Sequence, residues 1–175
     1  AKLMDDAAAS ALAKRLLPCA FLVTPNLPEA SALSGRDVRD LAGMEDAARA
    51  IGDLGVKNVL VKGGHLEGQA VDVLWSQGRI HHFTSERLAT PHTHGTGCVY
   101  SAAITARLAL GYELPVAVQR AKQFVTEAIR TNPGLGHGFG PTNMLVEVRD
   151  EVPAEVVAHE QHIAEALGYR AWENR

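Results

Sequence analysis

Residues 93–98, which read THGTGC, join two glycines and two threonines to a thiol at the start of a predicted helix. Small residues in this position leave backbone N–H groups unobstructed, and the helix dipole adds a favourable potential for an anion. Transfer of a phosphoryl group depends mainly on positioning and charge neutralisation, which such amides can provide. Gly95, Thr96 and Gly97 are therefore candidates for holding a phosphoryl group during its transfer.

Cys98 lies within the same helix start. The positive field at a helix N-terminus stabilises a thiolate, so Cys98 could accept a proton from a substrate hydroxyl. A second interpretation is that Cys98 is a small residue at the place where a helix meets a sheet. Its position alone leaves both interpretations open.

Asn26 and Glu29 follow an apolar run over residues 19–23, which predicts a buried strand in which Cys19 is a small buried residue. On an opening helical turn, two residues three apart can face the same side. Glu29 could then hold Mg²⁺ through water while Asn26 orders the water shell. The same spacing is also that of a helix capping box, in which each side chain accepts from the other residue's backbone amide.

Two lysines have less distinctive positions. Lys62 ends a second predicted buried strand, over residues 56–61, and is followed by Gly63 and Gly64. A lysine at the end of a strand is usually a solvated charge. Lys122 lies inside a predicted helix and could equally be a surface charge.

The predicted elements that position these residues alternate between helices and strands. Helices are predicted over residues 5–17, 28–33, 44–54, 95–110 and 114–130, and strands over 19–23, 56–61, 70–75 and 79–84, the last two turning at Gln77 and Gly78. This order predicts an α/β fold, with a mostly parallel sheet, helices on both faces and one antiparallel hairpin. In such sheets ligands lie beyond the carboxyl ends of the strands. Residues 26–29, 62–65 and 95–98 fall at such ends or at a helix start.

Composition narrows the class of protein. The chain has 175 residues, of which 46% are hydrophobic and 21% charged, as in one globular domain. A formal net charge of −3 with scattered basic residues argues against a nucleic-acid partner, and no apolar stretch is long enough to cross a membrane. Two distant cysteines without a secretory signal predict a cytoplasmic protein. Eight histidines suggest metal binding, but no carboxylate or cysteine pattern completes a site.

Together these motifs resemble the hydroxymethylpyrimidine and phosphomethylpyrimidine kinases of thiamine synthesis, which are ribokinase-like enzymes. Residues 94–98 are similar to the anion-hole motif of this family. The resemblance implies that Cys98 is the catalytic base, at a position where most ribokinase relatives have Asp. Asn26 and Glu29 look like the family's Asn-x-x-Glu motif, which implies that they bind magnesium.

The resemblance also implies which residues contact the nucleotide. Residues 59–65 are similar to the strand and loop that border the nucleotide, where Lys62 would neutralise phosphate charge. Lys122 matches a position at which relatives have a nucleotide-contacting lysine, and Gly95 and Gly97 would approach the phosphates of ATP. ATP and Mg²⁺ are thus the implied cofactors.

The resemblance covers roughly residues 1–141, and it implies that residues 1–145 form the nucleotide-binding, carboxy-terminal half of a ribokinase-like domain. The family's first portion, which builds much of the pyrimidine pocket, has no counterpart in this sequence. We therefore expect the chain to associate with a missing amino-terminal half or to form a homodimer.

The last part of the sequence has a different character. Residues 134–141 are rich in glycine and resemble a loop of the family near the nucleotide, although a flexible connector has the same composition. A last strand is predicted over residues 144–148. Residues 146–175 are expected to be an extension that contains an amphipathic helix over residues 152–167.

Three functions are compatible with these features. The resemblance favours ATP-dependent phosphorylation of the pyrimidine alcohol 4-amino-5-hydroxymethyl-2-methylpyrimidine and of its monophosphate. The first alternative is a pyridoxal or pyridoxine kinase, because related enzymes overlap in substrate. The second is a non-catalytic nucleotide-binding fragment that needs a separate amino-terminal half.

Overall fold

The computed structural model describes residues 6–64, 68–134 and 140–146. The chain forms two compact units, which we call the first unit, ending at Arg87, and the second unit, beginning at Leu88. Among the described residues, none of the helices is both long and apolar enough to span a bilayer.

The first unit begins with a helix that changes its geometry along its length. Helix α1, Asp6–Ala11, continues as a π-helical turn, Leu12–Leu16, and then as a 3₁₀ turn, Leu17–Cys19. Pro18 has no backbone N–H, and its ring conflicts with the carbonyl group four residues earlier, so a regular α-helix cannot continue through it. The predicted helix over residues 5–17 is therefore found as successive turns, and Asp5 lies outside the described residues.

The strand predicted over residues 19–23 is wrong in its extent. The 3₁₀ turn closes with a hydrogen bond from Ala20 N–H to Leu17 O, at 3.0 Å, so the chain becomes extended only after this turn. Val23 and Asn26 then form isolated parallel bridges with Val59 and Lys62. The parallel pairing that the sequence predicts is therefore present here, but only as single bridges.

The sheet of the first unit has three strands in the order β1-β2-β3. They are β1, Asn58–Lys62, β2, Ala70–Ser76, and β3, Arg79–Ser85, and both neighbouring pairs are antiparallel. The described strands therefore do not form the mostly parallel sheet that the sequence predicts. Only residues 63–69 join β1 to β2, whereas a parallel connection needs a crossover of about a dozen residues or more.

The hairpin between β2 and β3 confirms a specific prediction. Gln77 has φ 50° and Gly78 has φ 75°, so both turn residues are left-handed. This is the turn geometry that matches the right-handed twist of two antiparallel strands joined by two residues.

Helices α2, Leu27–Ser34, and α3, Leu41–Gly52, complete the first unit. One face of α3 is fully buried, and it packs beside β1 and β2 in the hydrophobic core. The core residues of this helix, which recur at helical spacing, are Met44, Ala47, Ala48 and Ile51.

The second unit contains two of the predicted helices, which pack against each other. Helix α4, Thr96–Ala109, is followed by α5, Leu114–Arg130, with Gly111 at φ 83° in the turn between them. Pro115 lies in the first turn of α5, where its missing N–H is not needed. Tyr112 follows Gly111, and the Arg120 guanidinium lies 5.6 Å from the centre of its ring.

Several predictions concern residues outside the described ranges. The helix over residues 152–167 lies there entirely, as does the extension over residues 146–175 except for Val146. Most of the glycine-rich run over residues 134–141 also lies there. For the predicted strand over residues 144–148, the described part is a turn at Met144 and Leu145.

Candidate functional site

The N-terminus of α4 is built on a glycine in a conformation that other residues avoid. Gly95, the residue that precedes the helix, has φ 78° and ψ −4°. No heavy atom lies within 4 Å of the place where a Cβ at Gly95 would be. The backbone conformation, rather than a lack of space, therefore explains the glycine.

Thr96 fixes the turn that leads into α4. Its hydroxyl group donates to Thr93 O at 2.6 Å, and its backbone N–H points to the same oxygen at 3.3 Å. The hydroxyl proton of Thr96 is therefore engaged within the turn. Thr96 contributes to the predicted anion site by shaping it.

The next two backbone amides, those of Gly97 and Cys98, precede the first hydrogen bond within α4. That bond runs from Val99 N–H to Gly95 O at 3.0 Å. Amides at these positions have no partner inside a helix. No side chain among the described residues caps α4, so the two amides are available to an anion.

In the first unit, the N-termini of α2 and α3 are each capped by a side chain. In α3, the Asp40 carboxylate accepts from Gly43 N–H at 2.7 Å. In α2, the Asn26 side chain accepts from Glu29 N–H at 2.9 Å. Helix α4 lacks such a cap among the described residues, as does α5, and differs from α5 in beginning after a left-handed glycine.

Cys98 is the third residue of α4, and its thiol is free and exposed. A substrate hydroxyl could therefore reach it from solvent. The other cysteine, Cys19, is also free and exposed, so the prediction that it is buried is wrong. The 3₁₀ turn that begins at Leu17 places Cys19 at the surface, where its thiol lies 3.5 Å from Arg15 O.

Asn26 and Glu29 form the capping box that their spacing permits. Besides the bond already described, Asn26 N–H donates to Glu29 Oε2 at 2.8 Å. Glu29 is exposed, and its other oxygen, Oε1, takes no part in the box. Within the described part of the chain, no group of three or more His, Cys, Asp and Glu side chains is placed to bind a metal ion. A cation here would depend on Glu29, water and phosphate oxygens.

Lys62 lies beside Asn26 at the end of β1. The two residues form a parallel bridge, and Lys62 N–H donates to Pro25 O at 2.8 Å. Lys62 is half-buried at the end of β1. The first unit therefore brings Lys62, Asn26 and Glu29 to one end of β1.

Gly63 and Gly64 after Lys62 have different roles. Gly63 is buried, its N–H donates to Asp72 Oδ1 at 3.0 Å, and an added Cβ would collide with the Val71 carbonyl oxygen. Packing inside the unit thus requires Gly63. Gly64 has open space around it.

Arg87 links Gly64 to Gly68 and is not among the site residues predicted from the sequence. Its guanidinium donates to Gly64 O at 2.7 Å and to Gly68 O at 2.8 Å. The predicted hairpin contains a signal for this position. Its register pairs Ser85 with Ala70, so Arg87 lies level with Gly68.

Lys122 is buried, with 6% of its surface exposed. The interpretation of this residue as a surface charge is therefore wrong. It belongs to the buried stripe of α5, which also contains Val118, Ala121 and Val125.

Comparison with known proteins identifies the family. The family model described as phosphomethylpyrimidine kinase matches residues 1–143. The chain belongs to the phosphomethylpyrimidine kinase family. It is 47% identical over 143 residues to the hydroxymethylpyrimidine/phosphomethylpyrimidine kinase of Synechococcus elongatus. It is 46% identical over 151 residues to the thiamine biosynthesis bifunctional protein ThiED of Geobacter sulfurreducens.

The fold comparison agrees with the family. The structure superposes on an ADP complex of Bacillus subtilis pyridoxal kinase with a TM-score of 0.77 and 42% sequence identity, over 81% of this chain. This confirms the predicted α/β, ribokinase-like fold. The chain covers 56% of that kinase, 54% of the Synechococcus kinase and 31% of the Geobacter protein. It therefore spans about half, or less, of the proteins that it matches.

Replacing Gly95 by alanine should impair both stability and phosphate transfer in the complete protein. A left-handed residue with a Cβ costs about 1–2 kcal/mol, and relief of this strain would shift the turn that sets the α4 amides. Gly35→Ala is a matched control, because Gly35 also has a left-handed conformation, φ 66°, and open space. Thermal unfolding should change similarly in both variants, while only Gly95→Ala lowers kcat. Equal kcat in the two variants would contradict a role for this turn in the reaction.

Proposed function

We propose that the complete protein transfers the γ-phosphoryl group of ATP to the hydroxymethyl group of 4-amino-5-hydroxymethyl-2-methylpyrimidine, and then phosphorylates the monophosphate, in thiamine diphosphate biosynthesis. Both the family and the similarity to the Synechococcus kinase support this activity. The observation that carries the proposal is the uncapped N-terminus of α4, with a free, exposed thiol in its first turn.

In the proposed reaction, the Cys98 thiolate accepts the proton of the acceptor hydroxyl group. The hydroxyl oxygen forms a bond to the γ-phosphorus as the bond between that phosphorus and the leaving oxygen of ADP breaks. The amides of Gly97 and Cys98 stabilise negative charge on the phosphoryl oxygens, which is the main requirement of this reaction. The products are the phosphorylated alcohol, ADP and a proton on the thiol.

We assign magnesium binding to Glu29 and Asn26. Bound Mg²⁺ would neutralise charge on the phosphates of ATP. Mg²⁺ usually keeps several waters and needs only one or two carboxylates, so the free oxygen Oε1 of Glu29 fits this ion. Lys62, beside Asn26, would neutralise further phosphate charge. Lys122 remains a proposed nucleotide contact because of the resemblance to the family.

We further propose that residues 1–145 are the carboxy-terminal half of the kinase domain and that the complete sheet is mostly parallel. The parallel bridges at Val23 and Asn26 support this, because they show the direction in which a chain segment pairs with β1 on the side away from β2. Further parallel strands would join this segment from the rest of the protein. The remaining half of the domain, rather than a second copy of the chain, is then the main partner.

The proposed compartment is the cytoplasm. Both cysteines, Cys19 and Cys98, are free thiols. Free thiols are maintained in a reducing compartment, and a thiolate base requires that Cys98 stays reduced.

Pyridoxal kinase activity is the second candidate. It is supported by the similarity to the Bacillus subtilis pyridoxal kinase, which has 42% sequence identity to this chain. The residues that would distinguish the two acceptors belong, by resemblance, to the other half of the protein.

The proposed function can be tested with a panel of acceptors. The purified complete protein would be incubated with ATP, Mg²⁺ and one of hydroxymethylpyrimidine, its monophosphate, pyridoxal, pyridoxine or ribose, and the products measured by mass spectrometry. We expect kcat/KM to be highest for the hydroxymethylpyrimidine. If pyridoxine reacts as fast as hydroxymethylpyrimidine or faster, the assignment of the substrate is wrong. If ATP binds but no acceptor is phosphorylated, the protein is non-catalytic.

Replacing Glu29 by glutamine should raise the Mg²⁺ concentration that gives the half-maximal rate, by roughly tenfold, because a charged ligand of a hard cation is lost. Glutamine can still accept from Asn26 N–H, so the capping box survives and thermal stability should change little. Asp40→Asn is the control, since it removes the charge of a capping carboxylate that plays no part in the proposed site. If Glu29→Gln leaves the Mg²⁺ dependence unchanged, Glu29 does not bind magnesium and acts only in the capping box.

A further inference from the structure

A ring nitrogen of His92 accepts a hydrogen bond from a backbone amide far along the chain. Nδ1 of His92 lies 3.1 Å from the amide nitrogen of Gly140, which is buried. Two residues after His92, His94 forms a parallel bridge with Pro141. Residues 140–141 therefore lie against the segment that leads into α4, within the second unit.

Residues 140–143 are also held at the end of α5. Asn143 N–H donates to Ala128 O at 2.9 Å, and the Asn143 side chain donates to Thr131 Oγ1 at 3.2 Å. Thr142, between the two attachments, is buried. This segment therefore links the end of α5 to the residues before α4.

The contact with His92 requires one form of the imidazole ring. Because Gly140 N–H is the donor, Nδ1 must carry a lone pair and the ring proton lies on Nε2. A buried backbone amide without an acceptor is strongly unfavourable. An acceptor at the position of Nδ1 therefore stabilises Gly140 where it lies.

The segment from His92 to α4 is short and internally bonded. Thr93 N–H donates to Pro91 O at 2.9 Å, and Thr93 O accepts from the hydroxyl group of Thr96. Thr93 therefore connects His92, its neighbour in the chain, to the turn that begins α4. That turn sets the positions of the Gly97 and Cys98 amides.

We propose that His92 is a positioning residue of the phosphoryl site. By accepting from Gly140 through Nδ1, it holds residues 92–94 against residues 140–141 and thereby fixes the α4 amides where the phosphoryl group is bound. This inference rests on the proposed function, because the site that His92 positions is the one assigned there to phosphate transfer.

Three variants of the complete protein test this role. Asparagine places Oδ1 at the same number of bonds from Cβ as histidine Nδ1, so His92→Asn keeps the acceptor. His92→Gln places its acceptor one bond further out, and His92→Ala has none. Because loss of a single charge-stabilising donor lowers kcat by about 10²–10³, a displacement of the amides in His92→Ala should lower it by roughly tenfold or more. We expect His92→Asn to remain within about twofold of the wild type and His92→Gln to resemble His92→Ala.

The rates should be expressed per folded enzyme, with ATP saturating, so that lost stability does not count as lost catalysis. A second readout is hydrogen exchange at the Gly140 amide, which should be faster in His92→Ala and His92→Gln but not in His92→Asn. If exchange changes as expected while kcat and KM do not, His92 is only structural and the inference is overturned. Unchanged exchange in His92→Ala would overturn it as well.

Failure of the proposed function would be recognised separately. If the wild-type protein transfers no phosphate, NMR titration with a non-hydrolysable ATP analogue still tests whether His92 positions the amides. The signals of the Gly97 and Cys98 amides should shift in the wild type and in His92→Asn, and shift much less in His92→Ala. The same response in all three proteins would overturn the inference.

Discussion

Replacing Cys98 by alanine in the complete protein is expected to lower kcat by about a hundredfold or more and to leave KM for ATP within about twofold. A positioned general base contributes about 10²–10⁴ to a rate, whereas the phosphate is held by backbone amides that the substitution keeps. Steady-state kinetics with saturating acceptor would measure both effects.

Cys19→Ala provides the matched control, because Cys19 is the other free, exposed cysteine of the described chain. It should leave kcat unchanged. Cys98→Asp should retain more activity than Cys98→Ala, since a carboxylate can also accept a proton. A Cys98→Ala variant as active as the wild type would return Cys98 to a role in packing.

Residues 1–175 expressed alone should transfer no phosphate to the pyrimidine alcohol. The chain spans 54% of the Synechococcus kinase, and by resemblance the acceptor pocket is built largely by the other half. The segment at Val23 pairs with β1 on one side and, within the described residues, with no strand on the other. Near it, Leu16 and Phe21 have 60% and 52% of their surface exposed. An open edge and exposed apolar side chains favour aggregation.

The same exposure predicts low stability. At about 25 cal/mol for each Å² of apolar surface, several hundred Å² left in water costs several kcal/mol, which is comparable to the whole stability of a typical domain. The melting transition and the activity of the isolated chain should therefore both improve when the remaining half is added as a separate chain. A monomeric isolated chain that unfolds cooperatively and transfers phosphate by itself would contradict the proposal that it is half of a domain.

The helices were the part of the fold most easily predicted from sequence. Helix α5 was predicted with its observed bounds, Leu114–Arg130, because Pro115 marks its first turn and buried residues recur along one face. The hairpin turn at Gln77 and Gly78 was also predicted, since a two-residue turn with glycine is a strong local signal. These features depend on neighbouring residues only.

Whether neighbouring strands pair parallel or antiparallel was harder to predict from the sequence. An alternation of strands and helices suggested a parallel sheet, but the shortness of the connection over residues 63–69 forces β2 to run antiparallel to β1. The apolar run over residues 19–23 was similarly misjudged, because the 3₁₀ turn Leu17–Cys19, which contains Pro18, extends into it. In both places a constraint from chain geometry outweighed the hydrophobic pattern.

The sequence suggests the chemistry of the proposed site, but it does not indicate the contacts that support the site residues. The sequence identified Asn26, Lys62 and the start of α4, because each follows a recognisable local pattern. The contact of His92 with Gly140 joins residues 48 positions apart, and nothing in the sequence near either residue indicates the other. Such contacts depend on the folded path of the chain.

The most direct test of the central claim is a crystal structure of the complete protein with ADP, Mg²⁺, hydroxymethylpyrimidine and a metal fluoride that mimics the phosphoryl group in transfer. We predict that the fluoride lies within about 3.2 Å of the Gly97 and Cys98 amide nitrogens, and that the Cys98 thiol lies within hydrogen-bonding distance of the acceptor hydroxyl. A fluoride bound away from the N-terminus of α4, with Cys98 remote from the acceptor, would contradict the account.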